Sequence, residues 1–354
     1  MVLHFRSEFI NNQSKEGHLC TDLAERRNKL RKIYYQVQGG LGLNISFASF
    51  ISLVKREFPG EYWFAVNSPY YDIYDACPDV DQVYKGPELA DLIFDCKEDD
   101  DGELYVGRIY DTQGFIFKQD HYHSAWAKQL NIPLPETERM IGYPNLRPFD
   151  KYPNLKTMVE NLKKLIDEKG FEDYAIMQFT GGQSPLVQVP PKKDPNGNPL
   201  PEPDWNAVPY QYENEPLKRH YPLDKAQKFV DLYHEKFPKR AILIYQLPNE
   251  PGPDGDFIFR ATMPYLSWHE LAKDASDIVA IDSSLQHLAV APGRRMTVIW
   301  GHSLPEHFGY SYNNNIIQKC RRDNLLYFTA LGPCGAKIQY IEPEELLKEV
   351  TSNE

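Results

Sequence analysis

The chain lacks any apolar run long enough to cross a bilayer, and its N-terminus (MVLHFRSEF) lacks the apolar core of a secretory signal. These two gaps argue against stable membrane insertion and give the expectation of a soluble, cytoplasmic protein. Cysteine is scarce: five residues, none in a CxxC pair and none at zinc-finger spacing, which fits reduced, packed thiols rather than a metal centre. Positive charge is in deficit. Lys and Arg number 39 against 50 Asp and Glu, so a net charge of -11 disfavours broad binding to nucleic acid or anionic lipid, though a locally basic cleft stays open. Neither GxGxxG nor a GK[ST] phosphate loop occurs, and no fixed-period repeat is present.

What is present alternates. IYYQVQ (33–38) reads as a strand, GGLG (39–42) as a turn, and 43–58 as a helix with one buried face at Leu43, Phe47, Phe50, Ile51, Val54 and Phe58. EYWFAVN (61–67), the stretch at Gln82–Tyr84 and DLIFDC (91–96) read as further strands, and 98–103 as an acidic turn. A Pro-rich segment at 133–153 has the composition of a linker. YAIMQF (174–179) then opens a second α/β unit, again followed by a glycine turn, TGGQS (180–184). Residues 185–222 carry many prolines and an Asn-Gly turn signal, as an inserted hairpin or lid would. Helices are expected at 223–237, 267–275 and 342–350. A chain of 354 residues is too long for one core. The expected division is residues 1–150, residues 151–335 with the insertion 185–222, and a closing helix in 336–354. The fold class is α/β with parallel sheets.

The most informative stretch is IVAIDSSLQHLAVAPGRRMTVIWGHS (278–303): strand, polar turn, short helix, strand. A strand's carboxyl end feeding a helix is where α/β proteins bind anions, which points to a phosphate-bearing ligand. Asp282, Ser283, Ser284 and His287 supply the polar groups there. Gly40 and Gly42 of the first glycine turn, and Thr180, Gly181 and Gly182 of the second, offer close backbone approach. Each turn fits a ligand cradle or a plain strand–helix connection. Arg219, in KRHYP, has the fork geometry for phosphate oxygens. Glu250 suits hydroxyl groups of a nucleoside.

At these residues the chain resembles the ADP-heptose:lipopolysaccharide heptosyltransferase family. DSSLQHLAVA (282–291) is similar to that family's Asp-Ser/Thr-Gly-x-x-His-Leu-x-Ala signature. MTVIWGHSLPEHFG (296–309), RHYP (219–222), LSWHELAKDASDIVAID (266–282), GGLGLNISFASFISLVKREFP (39–59) and PDVDQVY (78–84) resemble its other segments. The resemblance implies the GT-B fold, two Rossmann-like domains facing across a cleft. It implies an inverting glycosyltransferase without metal or other cofactor. Such an enzyme moves a hexosyl, pentosyl or heptosyl group from a nucleoside-diphosphate sugar to a hydroxyl of a lipopolysaccharide-type saccharide. Ser283, Ser284 and His287 would face the diphosphate, Asp282 the sugar or ribose, Arg219 the phosphate side and Glu250 the nucleoside.

Three departures stand out. Leu43 occupies the place of the family's acceptor-activating Asp, and the neighbouring Asn44 is a poor base. Asp111, His121 and His123 are the alternative bases. Ser284 stands where the signature has its glycine, and the insertion 185–222 is atypical. Two other functions therefore remain: a non-catalytic nucleotide-sugar-binding protein, and a glycosyltransferase acting on a hydroxymethylated base of viral DNA.

Overall fold

The computed structural model describes residues 30–107, 109, 120–135, 142–181, 220–246, 250–290, 294–301, 303–320 and 338–352. The chain divides into two compact units, Met1–Pro153 and Asn154–Glu354.

In the first unit, β1 (Arg31–Val37), β2 (Tyr62–Ser68), β3 (Gln82–Lys85) and β4 (Gly102–Gly107) form a parallel sheet in the order β3-β2-β1-β4. Helix α1 (Leu41–Glu57) leaves β1 directly. It is buried not on one face but all round, from Leu43 to Val54. Its serines are satisfied within the fold: Ser49 Oγ donates to Ile45 O one turn back at 2.9 Å, and Ser52 Oγ accepts from the distant Asn145 N at 3.1 Å. α2 (Tyr71–Asp75) and α3 (Leu89–Glu98) follow.

DLIFDC (91–96) belongs to α3, not to a strand. A short apolar run between acids fits either state, and here only the i, i+4 pair Leu92 and Cys96 is buried, while Ile93 and Phe94 are exposed. The strand beside β1 is the next segment, GELYVG, whose start falls within the expected acidic turn. The Pro-rich stretch is no free linker in its described part. Arg147 N donates to Ala76 O at 2.7 Å and Tyr152 OH to Asp75 Oδ2 at 3.0 Å, which tie it to the first unit. It contains α5 (Pro148–Lys151), after α4 (Tyr122–Gln129) and ahead of α6 (Pro153–Glu168).

The second unit holds a six-stranded parallel sheet, β10-β9-β8-β5-β6-β7. Its strands are β5 (Asp173–Met177), β6 (Arg240–Ile244), β7 (Ile258–Phe259), β8 (Ile278–Ile281), β9 (Thr297–Trp300) and β10 (Asn314–Ile317). β8 and β9 are buried throughout, which explains their unbroken apolar sequences. Around them lie α7 (Leu223–Lys236), α8 (Tyr265–Asp274), α9 (Ser284–Leu288), α10 (Pro305–Phe308) and α11 (Pro343–Thr351). The closing helix α11 is part of this unit. Its Leu346 and Val350 join the core formed with Phe229 and Tyr233, and Lys225 and Lys228 of α7 pair with Glu342 and Glu344 at 2.5 Å each.

At the amino ends of these strands Arg240 is held by Asp173 at 3.0 Å and Asp277 at 2.7 Å, with its guanidinium 4.4 Å over the Phe237 ring. Arg240 NH1 also bonds Tyr233 OH at 2.8 Å. Removing the cation leaves the mostly buried Asp277 beside the partly exposed Asp173 without their common partner, so Arg240→Ala is expected to cost about 2 kcal/mol, below the range for a fully buried pair. Denaturant midpoints of the full chain check this. Lys156→Ala, which breaks an exposed pair with Glu160, should cost less than about 0.5 kcal/mol.

Candidate functional site

In both sheets the order of strand addition reverses beside the first strand. β1 lies between β2 and β4, and β5 lies between β6 and β8. Each therefore has a topological switch point, and crevices at the carboxyl ends of such strands are the ligand sites of open α/β sheets.

In the second unit the crevice is built by the segments that leave β5, β6 and β8. Gln178, directly after β5, is buried and bridges two of them. Its Nε2 donates to Thr180 O at 2.8 Å, and its Oε1 accepts from Ser283 Oγ. Ser283 Oγ also accepts from Leu285 N at 3.3 Å, which caps α9. Gly181 sits against this bridge: a Cβ there would lie 2.7 Å from Gln178 Nε2. Gly181 N donates to His220 Nδ1 at 3.1 Å.

Asp282 is 3 % exposed and holds two elements together. Oδ1 accepts from Gln286 Nε2 at 2.6 Å, one helical turn on, and Oδ2 accepts from Ser303 Oγ beyond β9. His287 is also buried, with Nδ1 2.9 Å from Tyr310 OH. Thr180 Oγ1 donates to Glu250 Oε2 at 3.1 Å. Ser284 is the one residue of 278–290 that keeps intermediate exposure. Its Oγ lies 3.1 Å from Tyr245 OH, at the end of β6. Burial pushes the Tyr245 phenol above its usual pKa, so the hydroxyl stays protonated near neutral pH.

This arrangement sorts the expected residues by position. Thr180, Gly181, Glu250, Asp282, Ser283 and Ser284 lie in the segments that leave β5, β6 and β8, while His287 is turned to Tyr310. Gly40 and Gly42 lie in the first unit, and Gly182 and Arg219 lie outside the described residues. Helix α9 has only five residues, too few for a substantial dipole, so the hydroxyls carry more of the polarity than the helix does. Sequence reasoning missed Gln178, Tyr245, Gln286 and Ser303. The available signal was a polar residue at the end of an apolar strand run, and a Gln four residues after Asp282.

In the first unit the exposed turn after β1 rests on Leu43, since a Cβ on Gly39 would lie 2.3 Å from Leu43 Cδ2, and Gly39 has φ +147°. Asn44 Nδ2 donates to Gly40 O at 3.0 Å, and Asn44 Oδ1 accepts from Ser68 Oγ at 2.6 Å and Tyr74 OH at 2.9 Å. His121 Nδ1 accepts from His123 N at 3.2 Å, which caps α4. His123 is fully buried, with Nε2 3.2 Å from Ser46 O. Asp111 lies outside the described residues.

Three Asp-x-Asp tripeptides occur, at 79–81, 99–101 and 254–256. Each precedes a strand (β3, β4 and β7) and so lies at the amino ends of the sheets, opposite the crevices. Among the described residues no group of three His, Cys, Asp or Glu side chains is placed to hold a metal ion, and no helix is long and apolar enough to cross a membrane.

No protein-family model matches the chain, and no curated protein matches it by sequence. Solved structures do. A glycosyl transferase family 9 protein of Veillonella parvula aligns over 81% of this chain and 85% of its own, at 9% identity and a TM-score of 0.53. The ADP-heptose lps heptosyltransferase II of Escherichia coli aligns over 91% of this chain and 98% of its own, at 12% identity and a TM-score of 0.52. The chain has the heptosyltransferase-like GT-B fold. At such low identity the fold is what is shared. In this fold the crevice after β5 and β8 is the second domain's switch point, and the GGLG turn is the first domain's.

Proposed function

We propose that the chain is an inverting glycosyltransferase that needs no metal. It moves a sugar from a nucleoside-diphosphate sugar, bound in the crevice of the second unit, to a hydroxyl of a lipopolysaccharide-type saccharide held by the first. The observation that carries this is the buried bridge Ser283–Gln178–Thr180 together with Asp282–Gln286. It rigidifies the carboxyl ends of β5 and β8 and leaves Ser284, Tyr245 and Gly181 as the partly exposed groups. Such a preorganised polar rim is what a diphosphate leaving group requires. The named activity of the Escherichia coli structure, with its ADP-heptose donor, supports the same class of donor here. The acidic net charge favours a saccharide over viral DNA as acceptor. Metal independence is supported by the Asp-x-Asp tripeptides standing at the wrong ends of their sheets. A cytoplasmic setting fits the free thiols of Cys77 and Cys96.

In the reaction the acceptor oxygen attacks the anomeric carbon from the face opposite the phosphate. The glycosyl–oxygen bond breaks, the nucleoside diphosphate leaves with the bonding pair, and a base takes the acceptor proton. Arg219 and Ser284 are assigned to the leaving phosphate, and Gly181, whose N–H donates to His220 Nδ1, is assigned only close backbone approach. Glu250 is assigned to nucleoside hydroxyls, because a carboxylate accepts from hydroxyls and repels phosphate. Asp282, Ser283 and His287 hold these groups in place from beneath. Among the candidate bases, Nδ1 of His121 is occupied by a backbone N–H, so its neutral ring carries the proton on Nε2 and acts there as a donor. His123 is sealed from any acceptor. Asp111 is therefore assigned as the base, with His121 orienting the acceptor oxygen.

The test is release of nucleoside diphosphate from a panel of nucleotide sugars in the presence of lipopolysaccharide core saccharides. Release with formation of an anomerically inverted product supports the proposal. Binding of a donor without transfer to any acceptor would establish the non-catalytic alternative, for which Leu43 is the motive.

A further inference from the structure

We propose that Tyr245 and Ser284 form a hydroxyl relay that binds an anionic phosphate oxygen of the donor, which makes Tyr245 a binding residue of the donor site; this rests on the donor-site assignment above. Because β5 lies between β6 and β8, the bond from Tyr245 to Ser284 passes over the carboxyl end of β5, across the crevice itself. The two hydroxyls are 3.1 Å apart. Each brings one O–H, and the bond between them uses one, so the pair presents one further O–H. Tyr245 and Ser284 both keep partial exposure where Ile244, Ser283 and Leu285 are buried, so the pair stands at the open edge of the segments that leave β6 and β8.

The pair is also rigid. Tyr245 N donates to Met177 O at 2.9 Å, and the Tyr245 ring stands edge-on to the buried Trp268, 5.1 Å between centroids. A fixed ring delivers its hydroxyl to one place without an ordering cost on binding. When an anion accepts from one hydroxyl, the second polarises the first and strengthens its donation. Glu250 lies five residues past Tyr245 and accepts from Thr180. The Glu250 charge is felt at Tyr245, so the phosphate is directed to the Ser284 end of the pair and the pentose to Glu250. The glycine-to-serine departure at position 284 thus has a partner in the structure, since a glycine would leave Tyr245 OH with nothing to pass its proton to.

Calorimetry on the full-length chain tests this with ADP, UDP, GDP and CDP, and then with the nucleoside that matches the tightest of the four. Tyr245→Phe and Ser284→Ala should each weaken the diphosphate by about tenfold, the worth of a hydrogen bond to a charged group. Both should leave the nucleoside affinity unchanged, and the double variant should be little worse than either single one. Thermal midpoints of the variants establish that they fold. A purely structural Tyr245–Ser284 latch would instead lower the midpoint and shift diphosphate and nucleoside together. Variants that bind the diphosphate as tightly as wild type overturn the relay and leave the donor site standing. A wild-type chain that binds none of the four overturns the donor-site assignment, and the relay with it.

Discussion

Asp282→Ala should lower the melting temperature by roughly 10 °C and abolish measurable nucleoside diphosphate binding. The carboxylate is buried, and its two oxygens accept from Gln286 Nε2 and Ser303 Oγ. Alanine orphans both donors inside the second unit. Each orphan costs about 1–3 kcal/mol, and a domain of this size loses about 2–4 °C per kcal/mol. The loss of binding has the same origin. Without Asp282 the start of α9 and the segment beyond β9 lose their common anchor, and Ser284 is no longer held opposite Tyr245. Asp282→Asn, which keeps the shape and one acceptor, should fall between alanine and wild type in both respects. Scanning calorimetry and titration with the diphosphate read the two effects separately. An unchanged midpoint would show that the network contributes little.

Asp111→Asn should leave donor affinity intact and reduce kcat by about 10²–10⁴, the usual contribution of a positioned general base. The assignment follows from chemistry at three positions. Leu43 has no ionisable group and is committed to packing beneath Gly39. His121 spends its Nδ1 lone pair on the cap of α4. His123, on α4, is buried against α1, its ring 6.1 Å from Phe50 and 6.3 Å from Trp126. Asp111→Asn keeps the size of the side chain and removes its ability to take a proton. Steady-state transfer rates at saturating donor are the measurement. A kcat within threefold of wild type would remove Asp111 from the role.

The sequence was legible where apolar runs met glycine or small polar turns. β1 with GGLG, β5 with TGGQS and β8 with DSS were readable because a buried parallel strand is a continuous apolar stretch with a clear end. DLIFDC was not readable, because three apolar residues between acids satisfy a strand and a helix equally, and the tertiary position of β4 decided the matter. The site was legible by residue type but not by orientation. Asp282 and Ser283 have the chemistry of ligand contacts, yet the folded chain turns both inward to bond Gln286, Ser303 and Gln178. Only Ser284 of that run keeps partial exposure. Tyr245 could not be placed beside it from sequence, since 39 residues separate the two and only the strand order β6-β5-β8 brings them together. Asn44 looked like a failed base for a similar reason: its amide is consumed in joining the GGLG turn to Ser68 and Tyr74.

The central claim is that a nucleoside-diphosphate sugar binds at the carboxyl ends of β5, β6 and β8, and the most direct test is a crystal soaked with mixed nucleotide sugars. The expected result is density for a nucleoside diphosphate with a phosphate oxygen within hydrogen-bond distance of Ser284 or Tyr245, and ribose hydroxyls toward Glu250. Density confined to the GGLG turn of the first unit, or an empty crevice in the second at concentrations that saturate the protein in solution, would contradict it.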